Sequence, residues 1–383
     1  MAGQHFTVEG NRLTLLEDGP ERFGALLALI DGAKRSLRIL YYIYADDAAG
    51  RRVNAALLSA AARGVTVALI VDGFGSDDAS DAHFFDGLQA GGVAVCRFVP
   101  RFGRRYLLRN HQKLALADAE TPAAAIIVGG FNVEDDYFAP ETPDAWRDLG
   151  LLVAGPAAAR MAGYFDALDT WIRQPKGKVR QLNRALAQWS ETEGKLRWLI
   201  GGPTRALSPW AQTVRADLRR AARIDIVAGY FTPSPGMLRR LDRAGTAHRQ
   251  VRVVTAARSD NTTTIAAARF TYAGLLSKGV RVFEYAASKL HTKLYVIDDT
   301  VQIGSANFDV RSLYLNLELM LRIDDAAFAA HARAYVDGEL TRSDEITAAE
   351  YRANTGWWQR LKQFAAYVLV AVIDPGVSRG MNV

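Results

Sequence analysis

Six of the 383 residues are histidine, and two of them open the same pattern: His111, Lys113 and Asp118, then His291, Lys293 and Asp298. Each copy leads to a small-residue turn ending in asparagine, Gly129-Gly130-Phe131-Asn132 and Gly304-Ser305-Ala306-Asn307. At average residue usage one such match arises by chance with a probability on the order of a few per cent. Two copies with the same sequel mark a duplication. The His-to-Asn spacing is 21 residues in the first copy and 16 in the second, and the difference fits a longer turn around residues 119–123.

Brought face to face, the copies would place two imidazoles, two ammonium groups, the amides of Asn132 and Asn307 and the Ser305 hydroxyl in one pocket. A phosphodiester suits such a pocket, because the lysines, with Asn132, Ser305 and Asn307 as phosphate-binding groups, can hold the non-bridging oxygens while charge builds on them. One unprotonated histidine can attack phosphorus and carry the group as phosphohistidine. The other, protonated, can give its proton to the departing alkoxide and then reverse its role on an incoming alcohol or water. Imidazole serves both steps because its ordinary pKa lies near neutrality. The lysines supply the positive charge, so the scheme asks for no metal and no cofactor. Each imidazole also needs a carboxylate to fix its tautomer. Asp148 and Glu318 lie 37 and 27 residues after their respective histidines and are candidates for that role; which half each one serves stays open at this point.

Strands must position these groups. Alternate side chains of a strand share a face, so His and Lys two residues apart point the same way. Lys-Leu-Ala-Leu-Ala-Asp (113–118) and Lys-Leu-Tyr-Val-Ile-Asp (293–298) are apolar runs closed by an acidic turn residue. Asp118 and Asp298, seven residues after their histidines, fall on the other face and are expected to organise the turn behind each strand.

The two motifs resemble the signatures of the phospholipase D superfamily, and the likeness runs from about residue 10 to about residue 370. Gly-Gly-Phe-Asn-Val-Glu-Asp-Asp-Tyr (129–137), Trp-Arg-Asp (146–148) and Gly-Ser-Ala-Asn-Phe-Asp-Val-Arg-Ser (304–312), with Asn316 and Glu318, resemble the bacterial cardiolipin synthase branch. That resemblance implies transfer of a phosphatidyl group from one phospholipid to an alcohol, typically with phosphatidylglycerol as donor and acceptor and glycerol as product. It implies an active site of His111, Lys113, Asn132, His291, Lys293 and Asn307, with Asp118 and Asp298 completing the catalytic motifs. By the same likeness His111 is the nucleophile and His291 the acid. Many members of the branch begin with hydrophobic spans and this chain shows none, so membrane attachment is expected to come from elsewhere.

The repeat extends beyond the motifs. Residues 35–44 pair with 223–231, 65–72 with 251–257, and 88–95 with 275–282. In each half apolar strands alternate with helical stretches such as 51–63, which stops at Gly64. The expected class is α/β: two phospholipase D-like α/β sandwich halves with mixed sheets, forming an internal pseudo-dimer with one site at its two-fold interface. The expected boundaries are 1–175 and 195–350 for the halves, with a polar linker at 176–194 and a basic amphipathic segment at 351–383.

A hydrophobic content of 49% is ample for a sizeable core. Cys96, the single cysteine, rules out an intramolecular disulfide framework and is expected to pack in a strand. The net charge of +6 favours an anionic partner. Residues 351–363 contain Arg352, Arg360 and Lys362 without an acid, together with Trp357 and Trp358, and lead into ten uncharged residues. Trp357, Leu361, Phe364 and Val368 share one helical face. This describes an interfacial helix, the alternative being a terminal helix docked on the core. Tyr106-Leu107-Leu108, beside Arg101, Arg104 and Arg105, is a second candidate lipid contact.

Anionic phospholipid and a membrane surface are therefore the expected partners, with no nucleic acid. The expected location is peripheral on the cell membrane, on its cytoplasmic side, since neither a signal peptide nor 18 consecutive apolar residues occur. His5, His83, His248 and His331 are read as surface or structural, Tyr42, Tyr44 and Tyr230 as core, with lining of the lipid cleft the alternative, and Glu134, Asp135 and Asp136 as a solvated turn. Three functions fit the site: phosphatidyltransferase, phospholipase D hydrolase and, at longest odds, a nuclease.

Overall fold

The computed structural model describes residues 4–373 apart from 82, 100–107, 175–177, 205–206 and 248. His248, Tyr106, Leu107 and the three arginines beside them lie outside the described residues. The chain forms two eight-stranded sheets. The first runs in the order His5–Val8, Asn11–Leu16, Gly150–Ala154, Ala125–Gly129, Leu114–Ala117, Ser36–Tyr41, Thr66–Asp72, Ala94–Phe98. The second runs Leu196–Gly201, Glu318–Asp324, Thr300–Gly304, Lys293–Ile297, Arg223–Ala228, Gln250–Ala256, Arg281–Tyr285, Ser343–Ile346. Seven strands correspond in order and direction. In each sheet three of them run parallel and the remaining neighbours antiparallel. The eighth strand is added at opposite edges, as His5–Val8 in one half and Ser343–Ile346 in the other. The mixed sheets expected from the repeat are present.

The strands are apolar on both faces because both faces are covered. In Leu114–Ala117, Leu114 and Leu116 enter a core that also contains Leu294, Val296, Ile303 and Leu319 from the other half. Ala115 and Ala117 instead face a second core under helices Gly19–Gly32 and Ala48–Ala62. The second half repeats this division: Leu294 and Val296 enter the shared core, Tyr295 and Ile297 a core of their own. Helices Pro156–Arg173 and Ala326–Leu340 complete the shared core with Met161, Phe165, Phe328 and Val336. One continuous apolar core thus holds the halves together. Cys96 is buried in it.

Helix Ala48–Ala62 is closed as its sequence suggested: Asp47 caps its first turn by accepting from Gly50 N at 2.8 Å, and Gly64 follows its end at φ +87°. The expected linker differs from a polar tether. Residues Val179–Trp189 form a helix whose Leu182 and Leu186, one turn apart, are buried in the shared core. Leu108, expected at the surface, is buried as well.

At the C-terminal end, helices Ala348–Asn354 and Trp357–Val368 pack on Thr262–Ser277. Gln363 and Tyr367 form the buried side of the last helix, and the Tyr367 hydroxyl donates to Pro233 O at 2.9 Å. Trp357, Trp358, Leu361 and Phe364 remain exposed. The helix is thus docked on the core by one face and leaves an apolar face exposed. Among the described residues no helix is long and apolar enough to cross a membrane.

Candidate active site

Backbone pairing between the halves builds the site. Leu317 N donates to Arg109 O at 2.9 Å, and His111 N donates to Leu317 O at 3.0 Å. In the symmetric position Lys289–Leu290 pairs in parallel with Trp146–Arg147, and His291 N donates to Arg147 O at 2.8 Å. Each histidine therefore lies beside the acid-bearing segment of the opposite half, and the carboxylates cross over. Both Glu318 oxygens lie 3.1 Å from His111 Nδ1, and Asp148 Oδ2 lies 2.6 Å from His291 Nδ1. With Nδ1 engaged, Nε2 is the nitrogen left for chemistry. The histidines and the two asparagines line a single cavity of about 680 Å³. The regular strands begin just after His111 and His291, at Leu114 and Lys293.

The lysines lie beneath this cavity. Lys113 Nζ donates to His111 O at 2.6 Å and Lys293 Nζ to His291 O, and both side chains are buried. Lys293 Nζ also lies 3.9 Å from Asp148 Oδ2. Burial pushes Lys293 down to about 8, against the pull of Asp148 and Glu318, and takes Lys113 well below the usual lysine range. Burial also lowers His111 to about 4 despite Glu318, and, reinforced by Lys293, lowers His291 to about 3 despite Asp148. Burial would raise the Asp148 carboxyl, but Lys293 and His291 outweigh it and hold it below the usual range. Burial thus disfavours the charged form of both imidazoles. A phosphodiester anion over the lysines would bring in the charge that favours an imidazolium.

Asn132 Oδ1 accepts from Ile43 N at 3.2 Å, and its Nδ2 donates to the Tyr137 hydroxyl at 3.2 Å. Asn307 is fixed through its backbone N–H to Ser312 Oγ at 3.2 Å. Ser305 departs from the expected phosphate contact. Its hydroxyl donates to Glu318 Oε2 and accepts from Leu319 N at 3.0 Å, while Ser312 Oγ donates to Glu318 Oε1 at 2.8 Å. Ser305 thus aims the carboxylate and does not line the cavity. Gly130 occupies the matching place in the first half, where a Cβ would lie 2.6 Å from Asp148 Oδ1 and 2.7 Å from Lys293 Cδ. The shorter acid fills the space that serine takes beside the longer one.

Asp118 and Asp298 complete the motifs but stand behind the strands, away from the cavity. Both have left-handed backbones, at φ 51° and 49°. Asp118 Oδ1 accepts from Arg35 N at 2.7 Å and Ser36 N at 3.1 Å, and Asp298 Oδ1 from Ala222 N and Arg223 N at 2.9 Å. They pin the entry to the neighbouring strand, as their spacing suggested, and touch nothing that reacts.

Several residues read as structural belong to the cleft. The Tyr42 ring lies 5.0 Å from His111, and Tyr230 lies 5.9 Å from His291. Both line the cavity, in place of the core packing expected, whereas Tyr44 is buried and donates to Asn54 Oδ1 at 2.7 Å. Glu134 and Asp136 line the rim rather than forming a solvated turn, and Asp135 receives the Ala49 N–H at 2.6 Å. Burial, with Asp136 nearby, raises Glu134 to about 6. Of the remaining histidines, His5 bonds Thr14, His83 lies beside Asp86 at the surface, and His331 packs on Phe6.

Three contributors have no assigned role in the motif reading. Buried Arg22 donates to Tyr137 O at 2.8 Å and to Asp148 O, bracing the segment that carries the acid. Arg311 lines the cavity, and Ser312 holds Glu318. Arg311 and Ser312 stand inside a motif and were visible there. Arg22 has no local sequence signal for this role, since Tyr137 and Asp148 are more than 100 residues away.

The family profile described as "Cardiolipin synthase, PLD-like domain" matches residues 26–168 and 215–339, one stretch in each half. Cardiolipin synthase A of Pseudomonas aeruginosa is 30% identical over 355 residues, covering 91% of this chain and 70% of that one. Cardiolipin synthase B of Escherichia coli K12 is 29% identical, over 94% of this chain and 87% of that one. Among solved structures, phosphatidylserine synthase of Haemophilus influenzae superposes with a TM-score of 0.73 at 14% identity, over 96% of this chain and 95% of that chain, a likeness of fold. Both halves, both motifs and the crossed carboxylates fall within these matches, and the chain belongs to the cardiolipin synthase family of the phospholipase D superfamily.

Proposed function

We propose that the cleft transfers a phosphatidyl group between phospholipids through a phosphohistidine on His111, joining two phosphatidylglycerols into cardiolipin and releasing glycerol. The observation that carries this reading is the crossed pair: two imidazoles, each tied through Nδ1 to a buried carboxylate of the other half, on one cavity lined by both asparagines. His111 Nε2 attacks phosphorus, the P–O bond to the donor's glycerol breaks, and His291 Nε2–H protonates the leaving oxygen. The acceptor's glycerol hydroxyl then gives its proton to His291 and attacks phosphorus. The P–N bond breaks, and His111 is neutral again. Lys113, Lys293, Asn132 and Asn307 hold the non-bridging oxygens through both steps.

One difference between the imidazoles supports this order: His111 is the more open of the two. As a phosphatidyltransferase of cardiolipin synthase type the chain acts on phospholipids, and we place it peripherally on the cytoplasmic face of the cell membrane. The mechanism is tested with a phosphatidyl donor carrying a p-nitrophenol leaving group, which departs without acid assistance. His291→Ala should accumulate protein heavier by one phosphatidyl group in an intact mass spectrum, and His111→Ala should not. An adduct on His111→Ala would reverse the assignment.

A further inference from the structure

A second cavity, of about 420 Å³, lies outside the active site, between helices Thr262–Ser277, Ala348–Asn354 and Trp357–Val368. Phe270, Ala273, Leu276 and Tyr351 give it apolar walls, and Arg352 and Arg360 also line it. We propose that it binds an acyl chain of an anionic membrane phospholipid, with Arg352 and Arg360 on the phosphate and the neighbouring tryptophans in the surrounding interface. The proposal rests on the reading of the cleft as a phospholipid transferase and adds a lipid-retention site to it.

Three observations meet at this place. First, an apolar pocket with two guanidinium groups on its wall matches an amphiphile with an anionic head, and its volume is of the size that holds a small ligand. Second, the helix beside it leaves an apolar stripe largely exposed. Trp357 and Trp358 are 65% and 61% exposed and stack at 3.9 Å, with Leu361 and Phe364 exposed on the same helix, while Gln363 and Tyr367 make the docked side. Aromatic anchors and an acid-free basic run, 351–363, are the composition of a helix lying in an anionic lipid surface. Third, the same segment reaches the chemistry: Val370, two residues past the helix, lines the catalytic cavity. A bilayer held on this helix would meet the mouth of the cleft, so the enzyme stays on its substrate surface between turnovers.

Co-sedimentation of the full chain with phosphatidylcholine vesicles, and with vesicles half phosphatidylglycerol, tests the site. The wild type should prefer the anionic vesicles, and Arg352→Glu with Arg360→Glu should weaken that binding by at least about tenfold. Ala273→Trp, which fills the cavity without changing charge, and Trp357→Ser with Trp358→Ser, both surface positions, should each weaken it as well. Thermal melting of each variant checks that it folds. Unchanged binding by the charge-reversal variant, equal binding of wild type to both vesicle types, or burial of the stripe in a dimer of this chain overturns the proposal. His111→Ala should bind vesicles like wild type. A wild type that transfers phosphatidyl groups from a micellar short-chain lipid but ignores vesicles overturns this site and leaves the reading of the cleft in place.

Discussion

His111 and His291 are the groups that react, so their substitution should act on rate while leaving the fold in place. His111→Ala or His291→Ala should lower kcat/KM by roughly a thousandfold or more, with an unchanged far-UV circular dichroism spectrum; near wild-type rates in either would refute the assignment. Lys293 gives the pH dependence its sign. Its ammonium, brought down to about 8 by burial, loses its charge as pH rises through that value, so kcat/KM should fall on an alkaline limb near pH 8. A profile flat to pH 10 would contradict this. The same shift makes the unfolded chain hold a proton that the folded one lacks between about 8 and the ordinary lysine value, so its contribution to stability rises with pH across that window. The motif residues were legible in the sequence because the reaction dictates their types and spacing. Ser305 was misread as a phosphate ligand because its role follows from the length of Glu318, which only the packed site compares with Asp148 and Gly130. Tyr42 and Tyr230 were misread because an aromatic at the end of an apolar strand looks the same beside a core and beside a cleft.

Strands and turns place these groups, and the aspartates of the two motifs act at this scale. Asp298→Ala would remove the hydrogen bonds from the solvent-accessible Ala222 and Arg223 N–H groups, at a cost of about 0.5–1.5 kcal/mol. A lower urea midpoint with kcat within about threefold of wild type is the expected outcome; a hundredfold loss of kcat at unchanged stability would make Asp298 a participant in the reaction. The correspondence of the two halves was legible because the apolar runs repeat at matching offsets in both. The helix Val179–Trp189 was hidden, since two leucines a turn apart in a polar stretch carry little weight until a core receives them. Leu186→Ala should cost about 2–4 kcal/mol, read by chemical denaturation; a loss below about 0.5 kcal/mol would mean that the segment is only a tether.

The whole molecule is a pseudo-dimer that cannot make half a site. Each histidine is held by a carboxylate from the other half through pairing of segments nearly 150 residues apart or more, a crossing that local sequence does not encode. The downfield imidazole N–H resonance of His291 should therefore vanish in Asp148→Asn and persist in Glu318→Gln; the opposite pattern would mean that the carboxylates serve their own halves. The C-terminal helix belongs to the same scale, because its value depends on which face the core takes and which it leaves. The central claim is the transfer itself, tested most directly by mass spectrometry of lipids after the purified protein is incubated with phosphatidylglycerol vesicles, with His111→Ala as control. Cardiolipin and free glycerol, both absent from the control, are the predicted products. Phosphatidic acid without cardiolipin would show that water finishes the reaction and would contradict the account.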